Sequence, residues 1–112
     1  MTIAESAKSI EEHLRQLRRE FHRHPEISGN EKKTAARIVR ELSEIGGFEI
    51  REGVGGHGVI AELSGALPGP VIALRADMDA LQIEEETGLS FCSENCGVMH
   101  ACGHDNHITM VL

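Results

Sequence analysis

Apolar residues recur at helical spacing over the first part of the chain. They form one stripe whose members are Ile10, Leu14, Leu17 and Phe21. A recurrence of three to four residues is typical of an amphipathic helix. Ser9 and Glu12 have the spacing of a capping box, and Pro25 is a helix breaker. The pattern therefore predicts a helix that begins at Ser9 and ends before Pro25.

A second helical stripe follows, and its apolar members are Ala35, Ile38, Val39, Leu42 and Ile45. Asn30 precedes this stripe and is a favourable N-cap residue. Gly46 and Gly47 follow it and would end the helix. We therefore expect a second helix between Asn30 and the glycine pair.

The period then changes from helical to alternating. Phe48, Ile50 and Val54 fall on one side of an extended segment, the glycine-rich residues 55–58 predict a turn, and residues 59–63 predict a second strand of a hairpin. A further turn at 66–70 precedes the continuous apolar run 71–74. Such a run favours a strand buried on both faces. The predicted fold is α/β, with helices packed on a mixed, mostly parallel sheet.

Composition narrows the class of protein. Eleven basic and eighteen acidic side chains give a net charge of −7, which argues against a nucleic-acid or anionic-membrane partner. No apolar run approaches the roughly 20 residues of a membrane span. The first residues also lack the features of a secretory signal. We expect a cytoplasmic chain with at most one domain, which occupies residues 1–112.

The three cysteines are an odd number and do not suggest a disulfide framework. Cys92 and Cys96 have a spacing that a second metal site or a redox pair could use. No further Cys or His lies close to them before the C-terminal cluster, so ordinary loop thiols are the favoured interpretation.

Residues 100–107 hold the densest chemistry of the chain, with three histidines, a cysteine and an aspartate. Asp77 and Asp79 follow the apolar run, and residues two apart in an extended segment point the same way. These carboxylates would face one site while Met78 faces the core. Cys102 and His104, separated by a glycine, could converge on the same site. Sulfur beside imidazole suits zinc, cobalt, nickel or iron, and carboxylates widen the choice toward manganese.

Spacing alone leaves two interpretations of this cluster open. Cys102 could be a small buried hydrophobe rather than a ligand. His100, His104 and His107 could form one face of a surface helix without any metal.

Four stretches, in order along the chain, resemble the N-terminal part of a family of metal-dependent amidohydrolases. They are RREFHRHPEIS, RADMDAL, EEETGLSF and SEN-x-GVMHACGHDNH. The family includes hippurate hydrolase, indole-acetyl-amino-acid hydrolases, N-acyl-amino-acid amidohydrolases and N-acetyldiaminopimelate deacetylase. It belongs with carboxypeptidase G and aminoacylase among the co-catalytic metallopeptidases. The resemblance covers about Leu14 to Leu112 and is silent on the substrate.

The resemblance implies roles for particular residues. Cys102 and His104 correspond to metal ligands. Asp77 takes the place of a ligand histidine, and Asp79 matches an aspartate that orients or tunes a metal-bound group. His100 and Asp105 would be neighbours that fix the orientation of the ligands.

The resemblance also implies an activity, hydrolysis of the amide bond of N-acyl amino acids. It would use two divalent ions, such as Mn²⁺, Zn²⁺, Co²⁺ or Ni²⁺. The 112 residues would be the N-terminal portion of the catalytic domain, without the remainder of that domain or the dimerisation (lid) domain, and would have little or no activity alone. The intact enzyme would be a homodimer. The alternative is a small metal-binding or interaction module without turnover.

Residues 81–99 lose periodicity, and we expect them to form one wall of the substrate cleft. Glu84 and Glu85 are expected to be solvated there. His22 and His24 are expected to close a turn between helices rather than to take part in catalysis. Asp105 is expected to cap a last helix that begins near Asn106.

Overall fold

The computed structural model describes residues 1–112. Its elements, in chain order, are α1 (Ile3–Ser9), α2 (Glu11–Arg23), α3 (Lys32–Ile45), β1 (Glu49–Val54), β2 (Gly58–Glu62) and α4 (His104–Val111). The strands form one two-stranded sheet. The α/β class is therefore confirmed, and the sheet is one antiparallel pair where a mixed, mostly parallel sheet was predicted. No helix combines the length and the apolar composition that crossing a membrane requires.

The first helical region is divided into two helices. Thr2 and Glu5 form the capping box of α1, with each side chain bonded to the other's backbone N–H. The predicted capping box at Ser9 is wrong, because Ser9 is the last residue of α1 and its hydroxyl donates to the Ser6 carbonyl at 2.7 Å. Helix α2 begins after Ile10 without a side-chain cap.

Helix α3 has its N-terminus satisfied from outside the helix. The Glu26 carboxylate accepts from the backbone N–H groups of Lys33 and Thr34, at 3.2 and 2.6 Å, and from the Thr34 hydroxyl at 2.7 Å. The predicted cap at Asn30 is wrong, since Glu31 occupies the N-cap position and makes no capping bond. The helix ends at Gly46 as predicted.

The predicted hairpin is confirmed as an antiparallel pair. Glu49 lies opposite Glu62 and Ile50 opposite Ala61, with an irregularity in register before Val54. Gly58 is required at the turn, because a Cβ there would lie 2.3 Å from the Val54 carbonyl oxygen. The hairpin therefore depends on this close backbone approach.

The buried strand predicted at residues 71–74 is wrong. Val71, Ile72 and Leu74 are 97, 82 and 75 % exposed, and no strand is assigned between β2 and α4. An extended segment becomes a buried strand only when neighbouring strands pair with its backbone and other elements cover its side chains. No strand lies beside it here, and pairing resumes only in two isolated bridges, Ile27–Ala80 and Leu81–Met99.

A small core lies between α2 and α4. Leu17 and Phe21 of α2 pack with Ile108 of α4, and Met78 packs against them. Met78 therefore faces the core as predicted, which leaves the flanking Asp77 and Asp79 free to face another direction. This packing places α4 beside residues 77–79, which carry both aspartates.

Ion pairs also join α2 to α3. His13 Nε2 lies 2.5 Å from the buried Glu41 carboxylate, and Arg37 donates to Glu41 at 2.9 Å. Burial by itself would raise the pKa of Glu41, but the hydrogen bonds from His13 and Arg37 outweigh it, and the pKa lies below its ordinary value. Glu41 is therefore held as a carboxylate.

Candidate metal centre

Asp77, His104 and His107 bring one ligand atom each within 4.8 Å of the others. His107 Nδ1 lies 2.6 Å from Asp77 Oδ1, and His104 Nε2 lies 3.4 Å from Asp77 Oδ2. The two imidazole rings are stacked, with centroids 5.3 Å apart. One carboxylate and two imidazoles therefore face a common point.

The orientation of His104 is fixed by Asp79. His104 Nδ1 lies 2.8 Å from the Asp79 carbonyl oxygen and 2.9 Å from its carboxylate oxygen Oδ1. Both partners are acceptors, so Nδ1 carries the hydrogen and donates it. The lone pair of the neutral ring is then on Nε2, the atom that faces Asp77. This is the arrangement in which a carboxylate orients a metal-binding histidine.

Asp77 is held in its ionised form. The hydrogen bond from His107 lowers the pKa of Asp77 below its ordinary value, and the nearby His104 adds to the effect. Arg75 is farther away, with its guanidinium 4.0 Å from Asp77 Oδ2. A carboxylate is consequently available as a ligand at neutral pH.

The start of α4 brings the two histidines to this point. Gly103 is the N-cap in the left-handed conformation, with φ of +95°, which glycine adopts without strain. The helix begins at His104, two residues before the predicted start, and Asp105 lies in its first turn rather than at the cap. Residues three apart lie on one helix face, so His104 and His107 point in the same direction.

The thiol of Cys102 lies outside the group of three ligand residues. Its side chain is exposed, as are those of Cys92 and Cys96, and all three cysteines are free. The assignment of Cys102 as a ligand stays a prediction.

The two residues expected to support the ligands are both buried. Asp105 is fully buried and bonds to Arg18 and His22 of α2 rather than to a ligand. His100 is 4 % exposed, and neither of its ring nitrogens has a hydrogen-bond partner. Burial lowers the pKa of His100 to about 4, although the Asp105 carboxylate opposes this shift. His100 is therefore a neutral buried imidazole at physiological pH.

The expectation that Glu85 is solvated is wrong. Its side chain is 3 % exposed and accepts from His22 Nε2 at 2.9 Å and from the Ser93 backbone N–H at 3.0 Å. The expectation for His22 is also wrong, since His22 lies inside this network rather than at a helix-to-helix turn. Glu84 keeps an exposed position and accepts from the Gly97 N–H.

His107 is the member of the cluster that sequence reasoning did not assign to the site. The signal was present in the sequence, because a histidine three residues after His104 shares its face once the helix has formed. The hydrogen bond to Asp77 could not be inferred, since it depends on the path of a distant irregular segment.

The donor set fits a divalent cation. A carboxylate and two neutral imidazoles are ligands of zinc, manganese, cobalt and nickel. A shallow cleft of about 300 Å³ opens beside Asp77 and His107. A larger cavity, of about 670 Å³, lies elsewhere, between α2 and α3, and is lined mainly by charged side chains. The candidate site is chosen here by the chemistry of its donors and not by the size of its cavity.

Comparison with known proteins gives a consistent result. Residues 73–112 match the sequence profile of peptidase family M20/M25/M40. An N-acyl-L-amino acid amidohydrolase of Geobacillus stearothermophilus is 50 % identical over 95 residues, which cover 85 % of this chain and 25 % of that enzyme. An N-acetyldiaminopimelate deacetylase of Bacillus velezensis is 44 % identical over 101 residues, 90 % of this chain and 27 % of that enzyme.

A solved structure shares both sequence and fold with this chain. It is the YXEP protein of Bacillus subtilis, described as a dinuclear metal binding peptidase from the M20 family. The identity is 48 % and the TM-score 0.84, over 91 % of this chain and 29 % of that protein. The curated relatives are likewise spanned over only 25 to 28 % of their length. These findings confirm the resemblance drawn from the sequence motifs.

Proposed function

We propose that this chain is part of a metal-dependent amidohydrolase. The proposal starts from the similarity of the chain to peptidase family M20/M25/M40. The proposed reaction is hydrolysis of the amide bond of an N-acyl amino acid, which releases a carboxylic acid and a free amino acid. The substrate class is supported by the names of relatives that are 44 to 50 % identical to this chain.

The convergence of Asp77, His104 and His107 is the observation that carries this proposal. All three residues lie inside the stretch that matches the family profile. They come from two segments 27 to 30 residues apart, so local sequence alone does not bring them together.

We assign the roles as follows. His104 and Cys102 are ligands, as the resemblance implies, and Asp77 and His107 are the further donors that converge with His104. Asp79 holds the hydrogen on Nδ1 of His104 and so presents Nε2 to the site. When bound, divalent cations supply a Lewis acid for the acyl carbonyl and lower the pKa of a water molecule.

The activity can be tested in a chimera. The matching 95 residues of the Geobacillus amidohydrolase would be replaced by those of this chain, and amino-acid release from N-acetyl, N-benzoyl and indole-acetyl amino acids measured with Mn²⁺, Zn²⁺, Co²⁺ or Ni²⁺. We expect metal-dependent release that is lost in the His104→Gln chimera. A chimera that melts cooperatively but releases no amino acid with any of the four ions would contradict the proposal.

The ligand assignment can be tested on the 112-residue chain with Co²⁺, whose absorption reports its ligands. We expect Cys102→Ser to remove the sulfur-to-cobalt charge-transfer absorption and His107→Gln to weaken binding while keeping that absorption. Cys92→Ser is the matched control, because it removes another exposed thiol. A charge-transfer band that survives Cys102→Ser would overturn the role of that cysteine.

Two wider proposals depend on the same resemblance. Residues 1–112 would form the N-terminal portion of the catalytic domain, in keeping with the 25 to 28 % of the relatives' length that they span. The whole enzyme would be a homodimer that uses two ions. Size-exclusion chromatography and metal analysis of the chimera test both.

A further inference from the structure

A buried network joins α2, α4 and the irregular segment 81–99. His22 lies at its centre, with Nδ1 2.8 Å from Asp105 Oδ2 and Nε2 2.9 Å from Glu85 Oε1. The three side chains are only 0 to 3 % exposed. Few charged groups are this deeply buried without a structural or functional reason.

Each carboxylate of the network is held by additional donors. Asp105 Oδ2 also accepts from Arg18 Nε at 2.9 Å, and Asp105 Oδ1 accepts from the Asn106 backbone N–H at 3.0 Å. Glu85 also accepts from the Ser93 N–H and from the Thr87 hydroxyl. The network therefore connects helix α2 both to the first turn of α4 and to the irregular segment.

The ring of His22 has one carboxylate partner on each side. A carboxylate oxygen lies within hydrogen-bond distance of each ring nitrogen, so the ring bridges Asp105 and Glu85. Paired, buried charges of this kind are costly to break, because removing one leaves the others unpaired in a poorly solvated place. His22 thus fixes the relative positions of Asp105 and Glu85.

The buried network is connected to the candidate metal centre through the first turn of α4. Asp105 directly follows His104 and lies two residues before His107 in the same first turn. The contacts of those histidines with Asp77 and Asp79 span 2.6 to 3.4 Å. A displacement of about 1 Å at the start of the helix is enough to disrupt geometry of this kind.

We propose that His22 is a positioning residue of the metal centre, which acts through Asp105 to orient the first turn of α4. This inference rests on the proposed function, because it concerns the same ligands. The network sets the ring orientation of His104 and His107 before any cation binds. It does so without a direct contact between His22 and either histidine.

The test compares His22→Gln with His13→Gln in the 112-residue chain. His13 is a matched control, since it also lies on α2 and pairs with a buried glutamate, but on the side facing α3. Imidazole ¹H–¹⁵N spectra report which nitrogen of His104 carries hydrogen. Co²⁺ titration reports the affinity of the site, and thermal melting reports stability.

We expect His104 to carry its hydrogen on Nδ1 in the wild type and in His13→Gln, and to lose this preference in His22→Gln. Co²⁺ affinity should fall about 10-fold or more in His22→Gln and stay within about 2-fold in His13→Gln, even where the two variants melt at similar temperatures. A His22→Gln chain with unchanged His104 spectra and unchanged affinity would overturn the proposal.

A second variant covers the case in which His22→Gln does not fold. Glu85→Gln keeps the size of the side chain and an acceptor oxygen but removes one of the two charges that hold His22. We expect a smaller change of the same kind at His104, and unchanged spectra would again overturn the proposal. Failure of the wild-type chain to bind Co²⁺ would contradict the proposed metal centre, while the spectra still decide the role of His22.

Discussion

Replacement of Glu26 by alanine gives a direct test of how α3 is held in place. The Glu26 carboxylate is the side-chain acceptor for two backbone N–H groups and one hydroxyl at the start of that helix. The N-cap residue itself, Glu31, makes no capping bond. Glu26 therefore caps the N-terminus of α3, although it lies in the loop that precedes the helix.

The expected loss can be worked out from these contacts. Loss of an N-cap side chain costs about 0.5–2 kcal/mol, and loss of a negative charge near a helix N-terminus costs about 0.3–1 kcal/mol. Thr34 is buried and would also lose the acceptor of its hydroxyl. We expect Glu26→Ala to lower the free energy of unfolding by about 2 kcal/mol, the sum of the middle values.

Urea denaturation followed by circular dichroism measures this loss. A decrease of about 2 kcal/mol moves the urea midpoint down by about 1 M for a slope of about 2 kcal/mol/M. Glu31→Ala is the control, because it removes a glutamate at the same helix end that makes no capping bond, and it should cost only the charge contribution of about 0.3–1 kcal/mol. Glu26→Gln keeps an acceptor and should fall between the two.

Equal stabilities of Glu26→Ala and Glu31→Ala would refute this reasoning. The backbone bond from Ala80 N–H to the Glu26 carbonyl, 2.8 Å long, is retained in every variant. The path of the chain near Asp77 and Asp79 should therefore be unchanged. Altered Co²⁺ binding by the Glu26→Ala chain would show that Glu26 also affects the candidate metal centre, in addition to capping α3.

Three further predictions concern the core, the pH dependence and the metal centre. Ile108→Ala should lower the free energy of unfolding by about 2–5 kcal/mol, whereas the exposed Met110→Ala should change it by less than about 0.5 kcal/mol, both measured by urea denaturation. Glu41 has a lowered pKa, because its ion pairs outweigh the effect of its burial. Its contribution to stability is therefore present above the ordinary glutamate pKa of about 4.3 and is lost as pH falls below it. Glu41→Gln should flatten this part of a melting-temperature profile, and an unchanged acid slope would contradict the assignment. Asp79→Asn should weaken Zn²⁺ or Co²⁺ binding by about 10–100-fold in isothermal titration calorimetry, and unchanged affinity would show that Asp79 does not orient His104.

Local patterns in the sequence identified several elements because their causes are local. The stripe through Leu17 and Phe21 predicted α2, and Gly46 marked the end of α3. The glycine turn before β2 predicted the hairpin, since only glycine fits where the backbone approaches so closely at residue 58. The alternation around Met78 predicted that its neighbours face away from the core.

Other features depended on residues far apart in the chain. The sequence pattern of residues 71–74 favours a strand, but a strand forms only beside another strand, and none is present. Glu85 was predicted to be solvated, but it bonds to His22, which lies 63 positions earlier in the chain. The cap of α3 came from Glu26, outside the usual capping position.

The candidate site shows the same division. The residue types and spacings of Asp77, Asp79 and His104 allowed a metal centre without excluding a metal-free helix face, and the motifs favoured the metal centre through their resemblance to a family. The sequence by itself thus determined the donor chemistry and the local helices, because these follow from side-chain type and short-range periodicity. Only the tertiary structure decided that His107 lies against Asp77 and that His22 bonds to Asp105 in the first turn of α4, because hydrogen bonds between distant segments depend on how the chain packs.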